Sequence, residues 1–170
     1  MAPKIIDDIT IRDFTKADQK PAQEFCEDIF TELEWPIDYA DGLSDLSRLF
    51  NLPQGTFLVA TLHDKVVACG GVKELLKTST ENIGLIKRFF VIKELRGKGL
   101  ASQLLEELIN RAKKKSFTTL VLDTGKRNEA ANGFYPKYGF KLFTPDAKLR
   151  HAWTEAGDRD RFNYYSLRLS

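Results

Sequence analysis

The central part of the chain, residues 83–112, reads IGLIKRFFVIKELRGKGLASQLLEELINRA. The first ten of these residues are mainly apolar and predict a long strand. From Leu100 onward, apolar residues recur every three or four positions, which predicts an amphipathic helix. Between strand and helix lie two glycines, Gly97 and Gly99. A strand, a glycine-rich turn and a helix in this order are typical of an anion-binding loop.

Three kinds of phosphate-binding motif can be compared with this turn. A Walker A loop ends in Gly-Lys followed by Ser or Thr, but Lys98 is followed by Gly99. A dinucleotide fingerprint has a third glycine where this chain has Ser102. A helix N-terminus that binds a diphosphate needs only close backbone approach and unpaired N–H donors, which Gly97 and the first helical turn provide. Because Arg96 and Lys98 add positive charge, the sequence predicts a pyrophosphate cradle here.

Apolar periodicity and turn residues predict the other elements of the chain. The predicted order is a strand at residues 9–11, helices at 22–33 and 43–50, strands at 56–62, 65–72 and 83–92, a helix at 100–112, a strand at 118–122, a helix at 128–138, and strands at 140–143 and 162–169. A helix between two long strands predicts a crossover between parallel neighbours, whereas the hairpins make the sheet mixed. The sequence therefore predicts one α/β domain over residues 1–170.

Composition narrows the class of protein. The 26 Lys and Arg and 24 Asp and Glu residues give a net charge of +2, which does not favour nucleic acid as a partner. The basic run Arg111–Lys115 ends a predicted helix, where the helix dipole favours positive charge. No apolar run reaches the roughly 18 residues of a membrane span. Cys26 and Cys69 are expected to be reduced core thiols, and His63 and His151 lack metal-ligand spacing. We expect a soluble, cytoplasmic protein without metal, membrane or nucleic-acid partners; a homodimer is possible.

The glycine-rich turn also resembles the central motif of the GNAT superfamily of N-acetyltransferases. That motif reads Arg/Gln-x-x-Gly-x-Gly/Ala and is matched by Arg96, Gly99 and Ala101. Upstream, Phe89-Phe90-Val91 resembles the strand whose backbone pairs with the pantetheine arm of coenzyme A. Downstream, residues 128–140 (NEAANGFYPKYGF) resemble the second cofactor motif of the family. The resemblance implies the GNAT fold, with a mixed sheet of about six to seven strands and about four flanking helices.

The resemblance further implies that the protein transfers the acetyl group of acetyl-CoA directly to a primary amine of a small molecule or peptide. It implies cofactor-binding residues Phe89, Phe90, Val91, Arg96, Gly97, Lys98, Gly99, Leu100, Ala101, Ser102 and Asn128. It also gives Tyr135 the role of general acid, since a tyrosine near pKa 10 can protonate a thiolate near 8.5. A backbone N–H at Phe90 or Val91 is expected to donate a hydrogen bond to the oxyanion. Pro136 is expected to bend the helix beside Tyr135.

The general base is not assigned by the sequence. Many members of the family carry a Glu in the strand before the pantetheine segment, but residues 85–88 of this chain are Leu-Ile-Lys-Arg. Glu32, Glu34, Glu74 and Glu81 are alternatives, as is a chain of water molecules.

The acceptor is also open. In this family the acceptor cleft is lined by the first two helices and by the loop between the last strands. Near the end of the first predicted helix stands a polar and aromatic cluster, which can attract a cation or can form a solvated connection: Glu32, Glu34, Trp35, Asp38, Tyr39 and Asp41. Trp153, in a predicted polar loop, either packs or lines the cleft.

Two other functions remain as alternatives at this point. One is an N-acyltransferase that uses a longer acyl-CoA, which the space beside Phe89 and Phe90 would decide. The other is a non-catalytic module that binds acyl-CoA for regulation. The missing strand carboxylate favours the second alternative, whereas Tyr135 argues against it.

Overall fold

The computed structural model describes residues 5–153 and 161–170. In this part of the chain the strands are β1 (Ile9–Asp13), β2 (Thr56–Leu62), β3 (Lys65–Lys77), β4 (Asn82–Val91), β5 (Thr119–Gly125), β6 (Lys141–Leu142) and β7 (Phe162–Arg168). The α-helices are α1 (Gln19–Glu32), α2 (Leu46–Leu49), α3 (Leu100–Lys114), α4 (Glu129–Phe134) and α5 (Ala147–Ala152). The predicted mixed α/β fold is confirmed.

The seven strands form one sheet in the order β1-β2-β3-β4-β5-β7-β6. Only β4 and β5 are parallel, and α3 connects them, which confirms the predicted crossover. Their pairing is limited to Ile83–Leu85 opposite Thr119–Val121. Beyond these residues β4 continues to Val91 and β5 continues to Gly125 without pairing to each other. The two strands therefore diverge at their carboxyl ends, and β4 has an open backbone edge there.

Two layers of helices cover the sheet, because successive strand residues point to opposite faces. On the first, which we call the α3 face, Leu104 and Leu108 pack against Leu58 and Leu120. On the opposite face, called the α1 face, Phe25 and Ile29 of α1 pack against Phe57 and Val59 of β2. Further along the α1 face, α5 packs Leu149 and Trp153 against Leu85, Val121 and Tyr164.

Local chemistry explains where the first elements begin and turn. Thr15 and Asp18 form a capping box, and α1 begins directly after it at Gln19. The predicted hairpin at His63-Asp64 is confirmed, with φ values of 49° and 64° that match a two-residue turn.

Several predicted boundaries were wrong. The predicted helix at 128–138 is divided into α4 and a 3₁₀ turn over Tyr135–Tyr138, because Pro136 lacks the N–H that an α-helix needs. The predicted helix at 43–50 is only the short α2, and the predicted strand at 140–143 is only β6. His151 lies on α5, in a segment between residues 143 and 162 for which no helix was predicted. This six-residue helix is too short for apolar periodicity to indicate it.

Candidate functional site

The predicted cradle lies at the divergence of β4 and β5. Gly97 and Gly99 have φ values of 76° and 89°, a left-handed conformation that disfavours residues with a side chain. Gly99 is the N-cap of α3, and no side chain caps this helix. A Cβ atom on Gly97 would have no heavy atom within 4 Å, so the backbone is open from outside. The N–H groups of Leu100, Ala101 and Ser102 in the first turn are thus available to an anion.

Arg96 is held at the end of β4 beside this cradle. Its Nε donates to the Val91 carbonyl at 2.9 Å, and its two Nη atoms donate to the Glu32 carboxylate at 2.6 and 3.1 Å. These hydrogen bonds lower the pKa of Glu32. Glu32, one of the alternatives for the general base, is therefore engaged by an arginine. Lys98 is exposed on the turn.

A β-bulge in β4 determines which face of the sheet each of the two phenylalanines of the predicted pantetheine segment occupies. Arg88 and Phe89 together oppose the single residue Gly70, and Arg88 has a positive φ of 54°. Phe89 consequently turns to the α3 face, where a Cβ on Gly70 would lie 2.7 Å from its ring. Phe90 turns to the α1 face, where its ring centroid is 5.8 Å from that of Phe30.

The bulge also determines which backbone N–H groups face the open edge of β4. The Phe90 N–H is hydrogen-bonded to Cys69, and the Ile92 N–H donates to the Val67 carbonyl at 2.8 Å; both point toward β3. Backbone groups alternate in direction along a strand. Of the two candidates for an oxyanion contact, Val91 therefore directs its N–H toward the open edge and Phe90 does not.

Tyr135 packs on the α3 face with 7% of its surface exposed. Its ring centroid lies 6.1 Å from that of Phe89 and 5.5 Å from that of Phe140. Burial, followed by the charge of Asp123, raises the pKa of Tyr135 well above its usual range. The hydroxyl is therefore protonated at neutral pH, and it is a weaker acid than the tyrosine near pKa 10 that the sequence predicted.

Asn132 is a positioning residue that the sequence did not reveal. Its Oδ1 accepts hydrogen bonds from Thr124, Asn163 and Tyr165 at 2.6, 3.0 and 2.9 Å. Its Nδ2 donates to the carbonyls of residues 125 and 128. Asn132 thereby ties α4, and with it Tyr135, to β5 and β7. Asn128 caps α4, accepting a hydrogen bond from the Ala131 N–H at 3.1 Å.

Asp123 of β5 is a second residue that the sequence analysis missed. It follows Val121, the last β5 residue paired with β4, by two positions and so lies on the same α1 face. Its cross-strand partner is Tyr164, and its side chain is exposed. It therefore lies just beyond the point where β4 and β5 diverge, and its charge contributes to the raised pKa of Tyr135. A single Asp in an apolar strand, VLD at residues 121–123, was the available signal.

Most carboxylates near the end of α1 are paired with other groups of the protein. Asp41 forms an ion pair with Arg88, whose guanidinium also stacks on Phe30 at 5.0 Å from the ring centroid. Asp38 accepts a hydrogen bond from the Ala40 N–H. Ion pairs with arginines thus neutralise two carboxylates of the cluster, those of Glu32 and Asp41.

The other residues singled out from the sequence lie away from the cradle or inside the core. Glu74 pairs with Gly84 near the start of β4, at the other end of the strand from the cradle, and Glu81 precedes that strand. Trp153 is 2% exposed and packs against Tyr164, so it does not line a cleft. Cys26 and Cys69 are both buried and free, with their Sγ atoms 3.8 Å apart.

A cavity of about 370 Å³ opens on the α1 face between α5 and the start of β7. Lys126, Arg150, Phe143 and Tyr164 are among the residues that line it. Within the described ranges, no helix is long and apolar enough to cross a membrane. Nor do three His, Cys, Asp or Glu side chains of those residues come together as metal ligands.

Comparison with known proteins agrees with this geometry. Residues 15–140 match the acetyltransferase (GNAT) family. The IAA acetyltransferase of Azospirillum brasilense is 31% identical over 133 residues, which cover 74% of this chain and 83% of that protein. Streptothricin acetyltransferase A of Bacillus subtilis is 31% identical, with 76% and 72% covered. N-alpha-acetyltransferase 30 of Schizosaccharomyces pombe is 32% identical over 52% of this chain, which spans only 58% of that protein.

Solved structures share the fold. An acetyltransferase of the GNAT family from Staphylococcus aureus Mu50 superposes with a TM-score of 0.76, at 22% identity, over 95% of this chain and 99% of that one. The protein yncA of Salmonella typhimurium, solved with acetyl-CoA, gives a TM-score of 0.71 at 18% identity, over 96% and 95% of the two chains. The chain therefore belongs to the GNAT family of acetyltransferases.

Proposed function

We propose that the protein transfers the acetyl group of acetyl-CoA to a primary amine of a small molecule or peptide. The observation that carries this proposal is the open edge of β4 beside the uncapped N-terminus of α3. Coenzyme A combines an amide-containing arm with a diphosphate. An unpaired strand edge suits the arm, and a glycine-rich helix N-terminus suits the diphosphate. Acetyltransferases similar to this chain carry names with different acceptors, so the names do not identify the amine.

In this proposal each predicted residue has a physical task. The backbone of Phe89 to Val91 pairs with the pantetheine arm, and the turn from Arg96 to Ser102 binds the diphosphate, with Arg96 and Lys98 supplying charge. Asn128 orients the start of α4 on the other side of the opening. The rings of Phe134 and Tyr135 each lie 6.1 Å from that of Phe89. This packing limits the space for an acyl chain and favours acetyl over longer groups.

The chemical step transfers the acetyl group directly. The neutral amine nitrogen bonds to the thioester carbonyl carbon and then loses one proton to solvent, the carbon–sulfur bond breaks, and the sulfur gains a proton. Tyr135 is the proton donor, and the Val91 N–H stabilises the carbonyl oxygen as its negative charge grows. An alkyl ammonium near pKa 10.4 must first lose a proton, and we assign Asp123 as its acceptor. Solvent then exchanges protons with both side chains.

A thiol-release assay with acetyl-CoA tests the proposal. The acceptors should include amino acids, polyamines, aminoglycosides, aralkylamines and peptide N-termini, and mass spectrometry should identify the acetylated product. We expect one class of amine to release thiol and to gain a mass of acetyl. Tight binding of acetyl-CoA without thiol release for any amine would instead support the non-catalytic alternative. Release with octanoyl-CoA equal to that with acetyl-CoA would support the longer-chain alternative.

A further inference from the structure

The cavity between α5 and β7 has a distinct chemical character. Phe143, Phe162 and the exposed Leu142 give it apolar walls, whereas Lys126 and Arg150 give it positive charge. Among the described residues that line it there is no Asp or Glu. The cavity thus combines an apolar surface with two cationic side chains.

Arg150 has an unused hydrogen-bond donor in this cavity. Its Nε is buried, and none of the described residues accepts a hydrogen bond from it. Buried polar groups are nearly always hydrogen-bonded in folded proteins, and an unpaired donor costs free energy. A carboxylate is the acceptor that best fits a guanidinium, because it takes two parallel N–H···O bonds.

The cavity is also close to the proposed reaction centre. Tyr164, which lines it, is the cross-strand partner of Asp123. Residues opposite each other in antiparallel strands have Cβ atoms about 5 Å apart. Asp123 in turn lies two residues beyond the last pair that joins β5 to β4. The cavity therefore opens one strand away from the divergence, on the α1 face, opposite the layer that contains α3.

We infer that this cavity is an acceptor subsite, and that it selects amines that carry a carboxylate on an apolar body. This inference rests on the proposed function. The acceptor's ammonium group contacts Asp123, and its apolar part packs against Phe143 and Phe162. Its carboxylate forms ion pairs with Arg150 and Lys126. A volume of about 370 Å³ lies at the small end of ligand pockets, which suits a molecule of amino-acid size. Polycationic amines are disfavoured because both cations repel them.

The test compares each amino acid with its own carboxamide, for example phenylalanine with phenylalaninamide, at a fixed concentration of acetyl-CoA. The amide lacks the carboxylate, and its less basic amine leaves a larger neutral fraction at pH 7, which favours the amide. A preference for the acid therefore reports recognition of the carboxylate charge. We expect kcat/KM at least tenfold higher for the acid. Arg150→Gln and Lys126→Gln should each reduce that ratio about tenfold, because they lower the rate for the acid more than the rate for the amide. Lys148→Gln, on the same helix but outside the cavity, is the matched control.

The outcomes separate this inference from the proposed function. Equal rates for acid and amide, or a ratio that Arg150→Gln does not change, would overturn the inference while acetyl transfer stands. Calorimetry with N-acetylphenylalanine, which has the carboxylate but no reactive amine, measures binding to the subsite without turnover. Binding that Arg150→Gln weakens would support the subsite even if no amine were acetylated. No binding to the wild-type protein would count against it.

Discussion

The guanidinium of Arg96 holds the carboxylate of Glu32 through two hydrogen bonds, with Nη1 and Oε2 2.6 Å apart. Both side chains are partly exposed, at 42% and 30%, so this ion pair contributes only about 0–1 kcal/mol to stability. Its larger effect is on charge, because Glu32 partly neutralises an arginine that borders the proposed diphosphate cradle.

Glu32→Gln should therefore strengthen acetyl-CoA binding. With the carboxylate removed, the full charge of Arg96 faces the cradle, and we expect the Kd to fall about two- to fivefold at low salt. High salt should reduce the difference. Isothermal calorimetry measures this, with Glu24→Gln on the exposed side of α1 as the control. Weaker binding by Glu32→Gln would mean that Glu32 orients Arg96 for the cofactor and does not compete with it.

Gly97→Ala should weaken acetyl-CoA binding at least tenfold. A Cβ in this left-handed position costs about 1–2 kcal/mol of stability and projects into the open cradle. Gly139→Ala is the matched control, because Gly139 has a φ of 92° but lies away from the cradle. Thermal unfolding should show a loss for both variants, at least as large for Gly139→Ala because its Cβ would lie 3.3 Å from Leu167, whereas only Gly97→Ala changes the Kd. Equal Kd values for Gly97→Ala and the wild-type protein would show that the turn does not bind acetyl-CoA.

Tyr135→Phe should lower kcat about 100-fold with little change in the Kd for acetyl-CoA. Because the pKa of Tyr135 is raised, the wild-type enzyme should not lose activity through tyrosine ionisation as the pH rises to about 10. Tyr138→Phe, three residues along and half-buried, is the control and should be nearly neutral. Unchanged kcat for Tyr135→Phe across this pH range would exclude the side chain as the general acid.

Asp123→Asn should lower kcat/KM about 100-fold at pH 7, and the reduction in kcat/KM should be smaller at high pH. Without a proton acceptor, the reaction depends on the fraction of amine that is already neutral. The rate of the variant should then rise about tenfold per pH unit up to the pKa of the amine. Glu106→Gln, exposed on α3, is the control. A variant whose pH profile parallels that of the wild type would show that Asp123 is structural.

Asp18→Asn tests the capping box at the start of α1. Hydrogen bonds from Arg12 hold the pKa of Asp18 at about 2, below its usual value near 3.9. A lowered pKa stabilises the fold above pH 4, and this contribution disappears as the pH falls toward 2. We expect Asp18→Asn to cost about 1–2 kcal/mol at pH 7 and roughly half of that near pH 3. Urea unfolding at both pH values, with the exposed Asp28→Asn as control, checks the difference; a cost independent of pH would contradict it.

The part of the site that lies on consecutive residues could be predicted from the sequence. The strand, the turn with Gly97 and Gly99, and α3 follow one another directly, and each has its own local periodicity or backbone requirement. The parallel pairing of β4 with β5 followed from the helix between them. Local signals of this kind are available without any tertiary information.

Contacts between distant residues could not be predicted in the same way. The pairing of Glu32 with Arg96 joins residues 64 positions apart, and that of Asp41 with Arg88 joins residues 47 apart. Periodicity carries no information on such pairs, so the sequence indicates only that Glu32 and Asp41 are charged residues near a cleft. The Asn132 side chain has six hydrogen-bond contacts, and those with Thr124, Asn163 and Tyr165 depend on the packing of α4 against β5 and β7, although its position in the motif is not distinctive.

The bulge at Arg88 reverses the faces that the two phenylalanines of β4 would otherwise occupy. Ile86 lies on the α3 face, so in a regular strand Arg88 and Phe90 would also lie on that face, and Phe89 would lie on the α1 face. As it is, Phe89 belongs to the layer with Tyr135, and Phe90 belongs to the layer with Phe30 and Trp35. A substitution at Phe89 therefore changes the packing beside Tyr135, whereas one at Phe90 changes the packing beside Phe30 and Trp35. Two neighbouring codons thus control side-chain packing in two separate layers of the protein.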